Sequence, residues 1–460
     1  MTAAQEALLI DLYRGRLTRR AFFRHAIALG LSASATAALE SCAAPGSSPS
    51  PHVTTGGKSA IVWENESDTY QTFQYLTDKF NAFTPAIQVQ QIPGPSSPIE
   101  LSNGGPDMHS DFASKLKSKQ GTPDVLSLDV EWISEFASNK WIIPLDDLWP
   151  VQERVHYLAV PLEAVKYNGK IWAAPLRTDV GILYYRTDMP DIIPAAPRTW
   201  DELFSMATQA MASHKTRWGY VWQGAQYEGL LCDLVEVLSS YGGNIFDDVS
   251  DPKVVIINSD AALKALTEMV SWVGTISPPD IVKYQEAEAG DKWLNGEAAF
   301  MRNWPSCIAL SNDASRSKVA GKFDIAPLPA GTQPTRSCLG GWQLAINGFS
   351  SNTDAAWEFI KWMLQPDAQQ YLAIKEGFPV TLKDIYSPES YFNKPESPYY
   401  NPFFNKLEPI LNHAQFRPVS PHYQEIAKAI EVHVYRALLK QVSPATALQA
   451  LQADLEIIIG

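Results

Sequence analysis

Short apolar runs alternate with amphipathic stretches from residue 59 onward. An apolar run at Ile61–Trp63 precedes Tyr70–Phe83, where apolar residues recur with helical spacing, and Ile87–Ile92 alternates in the way typical of a strand. A helix around Ser110–Gln120 is predicted to lead into a buried strand at Asp124–Leu128. This strand–helix–strand order indicates a largely parallel sheet that is covered by helices.

The same alternation returns further along the chain. Short apolar runs predict strands at Ala298–Met301 and Gly341–Ile346. Helical spacing predicts helices at Trp200–Ala212, Glu228–Tyr241, Asp260–Val273, Thr353–Leu364 and from Pro444 onward. Thr199 and Glu202 form a capping box in front of the first of these helices. The predicted fold class is therefore α/β.

The first 41 residues are typical of an export signal. Five arginines between Arg14 and Arg24 precede an apolar run of about 14 residues, which is too short to span a membrane. Thr18–Arg24 resembles the twin-arginine export motif. Leu39–Cys42 resembles a bacterial lipobox, which makes Cys42 the candidate lipidated residue. An amphipathic N-terminal helix is the alternative interpretation.

Residues 42–58 have the composition of a flexible tether, being rich in Pro, Gly, Ser and Thr. A tether after Cys42 predicts a body that is held by lipid on the extracytoplasmic face of a bacterial membrane. No other segment reaches the roughly 18 apolar residues that a spanning helix needs.

Charge and cysteine content exclude several classes of function. The chain has 460 residues, enough for two lobes, and a net charge of −13, which repels phosphate backbones and argues against nucleic acid as a partner. The four cysteines lack metal-binding spacing, so neither a metal nor a cofactor is predicted. Cys232 is predicted to be a small buried apolar residue, and a bridge between Cys307 and Cys338 is left open.

Five groups of residues, in chain order, resemble one known family. They are Pro123–Val125 with Asp129–Trp132 and Pro144–Leu148, Asn168–Pro175 with Thr178–Arg186, Gly219–Leu230, Asn295–Phe300 with Arg302–Pro305, and Leu339–Trp342 with Arg417–Pro421. Together they resemble the extracellular solute-binding proteins (family 1) of sugar ABC importers, and above all the trehalose- and maltose-binding branch. The resemblance covers roughly residues 60–460.

The resemblance implies a two-lobed α/β fold of the periplasmic-binding-protein type, with crossing hinge strands and a cleft between the lobes. Lobe one is expected at residues 59–178 and 339–377, and lobe two at residues 179–338 and 378–460. The expected partners are a small sugar and the membrane-embedded subunits of an ABC importer, with the protein acting as a monomer.

Binding a sugar requires flat aromatic surfaces for its ring faces and fixed donors and acceptors for its hydroxyl groups. Trp304 and Trp342 each lie beside a glycine or proline and are the candidate aromatic surfaces, with core packing as the alternative. Asp129 follows the apolar run of a predicted strand, where ligands of α/β sheets collect, although it could equally cap the next helix.

Further candidates follow from the resemblance. Asp179 matches a sugar contact of the family, whereas Arg177 occupies a position that is commonly aromatic there. Arg417 is expected to donate hydrogen bonds to two ligand oxygens, with a surface ion pair as the alternative. The acidic contact after the first strand is assigned to Glu64, ahead of Glu66 and Asp68. Gly340 and Gly341 are expected to allow close approach of the backbone, or simply to form a turn.

The expected function involves no chemical reaction: a sugar binds between the lobes, and hinge rotation closes them. The ligand implied by the resemblance is an α-linked disaccharide, with another oligosaccharide, a monosaccharide or a sugar phosphate as alternatives. An exported glycoside hydrolase and a scaffold without a small ligand are the competing hypotheses.

Overall fold

Two β-sheets organise the chain, seen in a computed structural model that describes residues 59–66, 71–93, 105–397 and 400–460. The predicted export signal at residues 1–41, the tether at 42–58 with Cys42, and the alternative acid Asp68 lie outside these ranges.

The first sheet has the strand order β2–β1–β3–β11–β6. Strand β1 is parallel to β2 and β3, whereas β11 is antiparallel to β3 and β6. The strands are β1 (Ser59–Asn65), β2 (Ile87–Pro93), β3 (Val125–Asp129), β6 (Ala174–Val180) and β11 (Leu339–Ile346). A short hairpin, β4 (Lys166–Tyr167) with β5 (Lys170–Ile171), precedes β6.

The second sheet has the order β10–β7–β9–β8. Its strands are β7 (Ile182–Arg186), β8 (Trp218–Val221), β9 (Ala298–Asn303) and β10 (Phe323–Ala326). Strand β7 is antiparallel to β9 and β10, and β8 is parallel to β9.

Helices cover both sheets. In chain order they are α1 (Thr72–Phe83), α2 (Gly105–Lys117), α3 (Ile133–Ser138), α4 (Val151–Arg154), α5 (Ala159–Ala164), α6 (Trp200–Ala212), α7 (Glu228–Ser240), α8 (Asp260–Trp272), α9 (Glu286–Leu294), α10 (Cys307–Asn312), α11 (Thr353–Met363), α12 (Pro366–Glu376), α13 (Phe404–Leu411), α14 (Tyr423–Leu438) and α15 (Pro444–Ile459). Within the described ranges, no helix combines the length and the apolar character that a membrane crossing requires.

Side-chain caps place several helix starts where the sequence predicts them. Thr199 accepts a hydrogen bond from the Glu202 amide (3.1 Å), and Ser443 accepts one from the Thr446 amide (3.1 Å). Helix α2 begins at Gly105, earlier than the predicted Ser110. The extra turn includes Met108, whose buried side chain extends the apolar face of the helix.

Most tryptophans of the chain fill its two cores. Trp63 packs against Phe73 in the first lobe, with ring centroids 5.2 Å apart, and Trp200 packs against Trp272 in the second, at 4.9 Å. The buried Trp63 indole donates to Ser127 Oγ (3.1 Å), so its polar N–H group is satisfied inside the apolar layer.

Two chain segments that lie next to each other, at Gly181 and at Cys338, connect the two sheets. Strand β6 passes through Gly181 into β7, and Cys338 leads into β11; the Gly181 amide donates to the Cys338 carbonyl (3.3 Å). Gln415 hydrogen-bonds on either side of Cys338, to Ser337 and Leu339. The predicted two-lobed α/β architecture with crossing strands is confirmed.

Pro379 and Thr381 lie just beyond the first-lobe range that the sequence suggests. The Pro379 carbonyl accepts from the Thr178 amide of β6 (2.9 Å), and the Thr381 carbonyl accepts from the Leu158 amide (2.8 Å). This segment therefore packs beside the first sheet before the chain continues to the C-terminal helices.

Candidate binding cleft

One edge of the first sheet gathers most of the candidate residues. Strand register pairs Trp342 of β11 with Asp129 of β3 on one side and with Arg177 of β6 on the other, and it pairs Gly340 with Asp179. Because β11 runs antiparallel to β3 and β6, its amino end lies where those strands end, at the edge where ligands of α/β sheets collect.

Arg177 is the centre of a buried ion-pair network at this edge. Its side chain is fully buried, its Nη1 donates to Asp179 Oδ2, and its Nε donates to Glu66 Oε1 (3.3 Å). The guanidinium carbon lies 4.1 Å from the ring centroid of Phe378, a cation–π contact. The position that is commonly aromatic in the related family thus carries a guanidinium that lies over an aromatic ring.

Three polar atoms of this network are buried and have no hydrogen-bond partner among the described residues: Arg177 Nη2, Asp179 Oδ1 and Glu66 Oε2. A buried donor or acceptor without a partner costs roughly 1–3 kcal/mol, so folded proteins leave few such atoms unpaired. A hydroxyl group both donates and accepts, and can therefore satisfy a donor and an acceptor of this kind.

Burial shifts the pKa of the acids beside Arg177. It raises the pKa of Asp179 to about 6, with the Arg177 charge acting in the opposite direction. Burial likewise raises the pKa of Glu66, again opposed by Arg177.

The two acids at the end of β1 have different surroundings. The Glu64 carboxylate pairs with Lys115 Nζ (2.6 Å) of helix α2, and burial raises its pKa to about 7 while Lys115 lowers it. Glu66, one of the two alternatives to Glu64, is the acid that contacts Arg177. Strand β1 ends at Asn65, so Glu66 lies just past the sheet edge, where Arg177 reaches it.

Arg417 is surrounded by carboxylates. Its Nη2 lies 2.6 Å from Glu131 Oε2 and 3.3 Å from Asp129 Oδ1, and its Nη1 donates to Glu228 Oε1 (2.8 Å). Asp129 and Glu131 follow β3 of the first lobe, whereas Glu228 begins α7 of the second. Tyr423 also donates to Glu228 Oε1. A single buried guanidinium therefore connects acids from both lobes.

The two candidate tryptophans have different environments. Trp304, just after β9, is half-buried, and its Nε1 donates to Glu286 Oε1 (3.1 Å). Trp342 is only 2% exposed and packs edge-on against Trp132, with centroids 5.7 Å apart. Of these two, Trp304 alone is partly exposed.

The glycines of β11 allow close packing. Gly341 has φ +127, and a Cβ there would lie 2.5 Å from the Arg177 carbonyl oxygen. A Cβ on Gly340 would lie 3.3 Å from Cζ3 of Trp304, so this strand of the first sheet reaches the tryptophan of the second lobe.

Glu131, Glu228 and Phe378 were not among the candidates from the sequence. Glu131 lies within the Asp129–Trp132 segment that carries the family resemblance. Glu228 lies within the Gly219–Leu230 segment, which carries the resemblance too. The motifs thus contained a signal for these two acids, whereas the Phe378 contact depends on tertiary packing.

The three cysteines of the described residues are not linked to one another. Cys232, Cys307 and Cys338 are free and buried, so the possible bridge between Cys307 and Cys338 is not formed. In the part of the chain that the structure describes, no group of three or more His, Cys, Asp or Glu side chains is arranged to hold a metal ion.

Comparison with known proteins adds three relationships. Residues 63–370 match the model of the family described as bacterial extracellular solute-binding proteins. A probable ABC transporter-binding protein of Deinococcus radiodurans is 33% identical over 361 residues, which is 76% of this chain and 83% of the relative. A maltotriose-binding protein of Pyrococcus abyssi is 24% identical over 374 residues, covering 80% of this chain and 74% of the relative.

A solved structure is similar over the same region. The structure of maltose-bound T. maritima MalE3 superimposes with a TM-score of 0.77 at 33% sequence identity, covering 86% of this chain and 99% of that protein. The similarity extends over both lobes and the segments that join them.

Proposed function

The chain belongs to the bacterial extracellular solute-binding proteins, and within that family we propose that it binds an α-linked disaccharide of the maltose or trehalose kind, or a related oligosaccharide, and delivers it to an ABC importer. The names of two relatives support this choice, since one binds maltotriose and the other holds maltose. The proposal assigns the cleft a binding role and no chemical reaction.

The observation that carries the proposal is the buried, unpartnered pair Arg177 Nη2 and Asp179 Oδ1. A sugar hydroxyl that accepts from Arg177 and donates to Asp179 would remove both unsatisfied groups at once. Trp304, a partly exposed residue of the opposite lobe, would cover an apolar face of the same ligand with its ring.

The charge of the cleft favours a neutral ligand. Two guanidinium groups, Arg177 and Arg417, stand among five carboxyl groups, and each guanidinium already contacts carboxylates. A sugar phosphate would bring further negative charge next to these acids, and like charges at close range are unfavourable in a buried site.

Closure would follow rotation about the strands at Gly181 and Cys338. The contacts that Arg417 makes to Glu131 and Glu228 join acids of opposite lobes, and Ser134 Oγ donates to the Ser420 carbonyl (2.8 Å) close by. These bonds supply a closed form that an importer can distinguish from an open one. Closure also removes water, which strengthens the polar contacts to the ligand.

We further propose that residues 1–41 direct export by the twin-arginine route, and that lipid on Cys42 anchors a monomer to the extracytoplasmic face of the membrane. A Cys42→Ser variant should then move from the membrane fraction to the released fraction of the producing cells. Equal membrane retention of both proteins would contradict the anchor without affecting the sugar proposal.

The decisive experiment is a thermal-unfolding screen of the chain with maltose, trehalose, maltotriose and glucose 6-phosphate. A ligand present at 100 times its Kd adds about 2.7 kcal/mol of stability. We expect a neutral α-linked sugar to raise Tm and the phosphate to leave it unchanged, with the disaccharide recovered intact. A screen without any sugar-dependent shift would overturn the proposal, and released monosaccharide would favour the hydrolase instead.

A further inference from the structure

Behind Trp304 lies a second buried ion pair, which the proposed binding site does not use. Arg302, fully buried on β9, donates from Nε to Glu236 Oε2 (2.9 Å) and from Nη2 to Glu236 Oε1 (2.7 Å). Its Nη1 donates to Gln223 Oε1 (3.1 Å). All three guanidinium nitrogens therefore donate hydrogen bonds, and these bonds fix the orientation of the guanidinium plane.

The carboxylate of this pair touches both strands that cross between the lobes. Glu236 Oε1 accepts a hydrogen bond from the Cys338 amide (3.0 Å), at the entry to β11. On the other crossing strand, a Cβ at Gly181 would overlap Glu236 Oε1 and lie 2.5 Å from Arg302 Nη2. The hinge glycine therefore leaves room for the ion pair.

The guanidinium of the pair touches the candidate sugar platform. Its central carbon lies 4.1 Å from the ring centroid of Trp304, two residues along the chain. Stacking a fixed guanidinium plane on the indole restricts the ring orientation. One rigid unit therefore connects the Trp304 ring with Gly181 and Cys338.

Stability alone does not account for such a pair. Replacing a buried ion pair with apolar residues of similar volume is often neutral or stabilising, because the pair loses its hydration. What apolar residues cannot reproduce is the planar stack on Trp304 and the acceptor for the Cys338 amide.

We propose that Arg302, held by Glu236, is a positioning residue that fixes the Trp304 ring and links it to the two hinge strands. A ligand that packs on the Trp304 ring is then connected to the hinge strands through Arg302 and Glu236. The ligand-dependent half of this inference rests on the proposed function, in which Trp304 contacts sugar. The positioning of the ring itself does not.

The test uses the full chain labelled with 5-fluorotryptophan, with the Trp304 fluorine signal assigned through Trp304→Phe. The double variant Arg302→Met/Glu236→Leu is made in an Asp233→Asn background, because the buried Asp233 Oδ1 lies 4.0 Å from Arg302 Nε. All three charges are then absent together, so that none is left buried and unpaired. Arg186→Met/Asp188→Asn is the matched control, because Arg186 and Asp188 form another bidentate pair in the same sheet, away from the hinge.

We expect the double variant to unfold cooperatively, with a Trp304 signal that is broadened or split even without sugar. Maltose should bind it at least about tenfold more weakly, as expected for the loss of a desolvated cation–π contact. The control should keep a sharp signal and the affinity of the unmodified chain. Arg302→Lys, which keeps the charge but not the plane, should fall between the two.

A folded double variant with an unchanged Trp304 signal would overturn the inference. If the double variant does not fold, Arg302→Lys is read by the same criteria. Failure of the unmodified chain to bind any sugar in the thermal screen would overturn the proposed function, whereas the fluorine signal without sugar would still test the positioning of Trp304.

Discussion

Arg417 and Glu131 form a buried ion pair, in which Nη2 lies 2.6 Å from Oε2 and the side chains are 5% and 4% exposed. Burial raises the pKa of Glu131 well above its usual range, and the Arg417 charge opposes this shift. The same guanidinium contacts Glu228 of the other lobe. Arg417 therefore stabilises acids of both lobes in addition to any contact it makes with a ligand.

The first prediction is that Arg417→Ala lowers the free energy of unfolding by about 3–5 kcal/mol, since it leaves Glu131 buried without a counter-charge. Urea unfolding measures the change. Arg417→Lys keeps a positive charge without the planar fork and should cost less. Arg198→Ala is the control. It removes the surface ion pair between Arg198, whose side chain is 87% exposed, and Glu202, and it should change the free energy of unfolding by less than about 1 kcal/mol. An effect of Arg417→Ala as small as that of Arg198→Ala would contradict the interpretation.

Cleft residues could be predicted from the sequence only where their neighbours in the chain identify them. Asp129 follows an apolar strand, and Gly341 directly precedes Trp342, so neighbouring residues already pointed to both. The carboxylate partners of Arg417 lie 189 to 288 residues away in the chain, and no local pattern encodes such contacts.

The choice between Glu64 and Glu66 shows the same limit. It depends on where strand β1 ends, and element boundaries are the least reliable part of a sequence-based prediction. Helix α14 was not predicted either. No side chain caps its start at His422, so a common signal for a helix start is missing there.

The second prediction concerns pH. Burial raises the pKa of Asp179 from 3.8 to about 6, opposed by Arg177, so the folded protein holds this proton more tightly than the unfolded chain. The resulting stabilisation is fully present below pH 3.8 and is lost as pH rises through about 6. In the Asp179→Asn variant, the free energy of unfolding should therefore decrease less between pH 3.8 and about 6 than it does in the unmodified chain. Urea unfolding at several pH values measures this difference.

Asp188→Asn is the control for this experiment. Burial acts to raise the pKa of Asp188, but its bonds with Arg186 outweigh burial and lower it. Its contribution therefore has the opposite sign and appears at acidic pH. Identical pH profiles for the unmodified chain and Asp179→Asn would show that Asp179 has an ordinary pKa.

The third prediction is that Gly341→Ala destabilises the protein by more than about 3 kcal/mol, because strain at φ +127 adds to a clash with the Arg177 carbonyl. Gly169→Ala is the matched control: φ is +74 there, but a Cβ meets nothing within 4 Å. Strain alone should cost about 1–2 kcal/mol at that position. Urea unfolding of the two variants compares these costs, and equal losses would argue against close strand packing at Gly341.

The fourth prediction concerns the buried thiols. Burial raises the pKa of Cys307 to about 12, which suppresses the reactive thiolate. In a Cys42→Ser background, a maleimide reagent should label no thiol of the native protein and three thiols after unfolding in urea, counted by mass. Only one labelled thiol after unfolding would reveal a disulfide bridge.

The last prediction separates the two candidate tryptophans. Trp342 is 2% exposed and packs against Trp132, so Trp342→Ala should cost about 3–5 kcal/mol of unfolding free energy. Trp304 is half-buried, so Trp304→Ala should cost less stability and should weaken maltose binding at least about tenfold, since a stacked sugar loses its apolar surface. Urea unfolding and maltose titration, performed on both variants, distinguish a packing role from a binding role. If Trp304→Ala unfolded as easily as Trp342→Ala while its affinity for maltose stayed unchanged, Trp304 would be a core residue, and the ligand would have to find its aromatic contact elsewhere in the cleft.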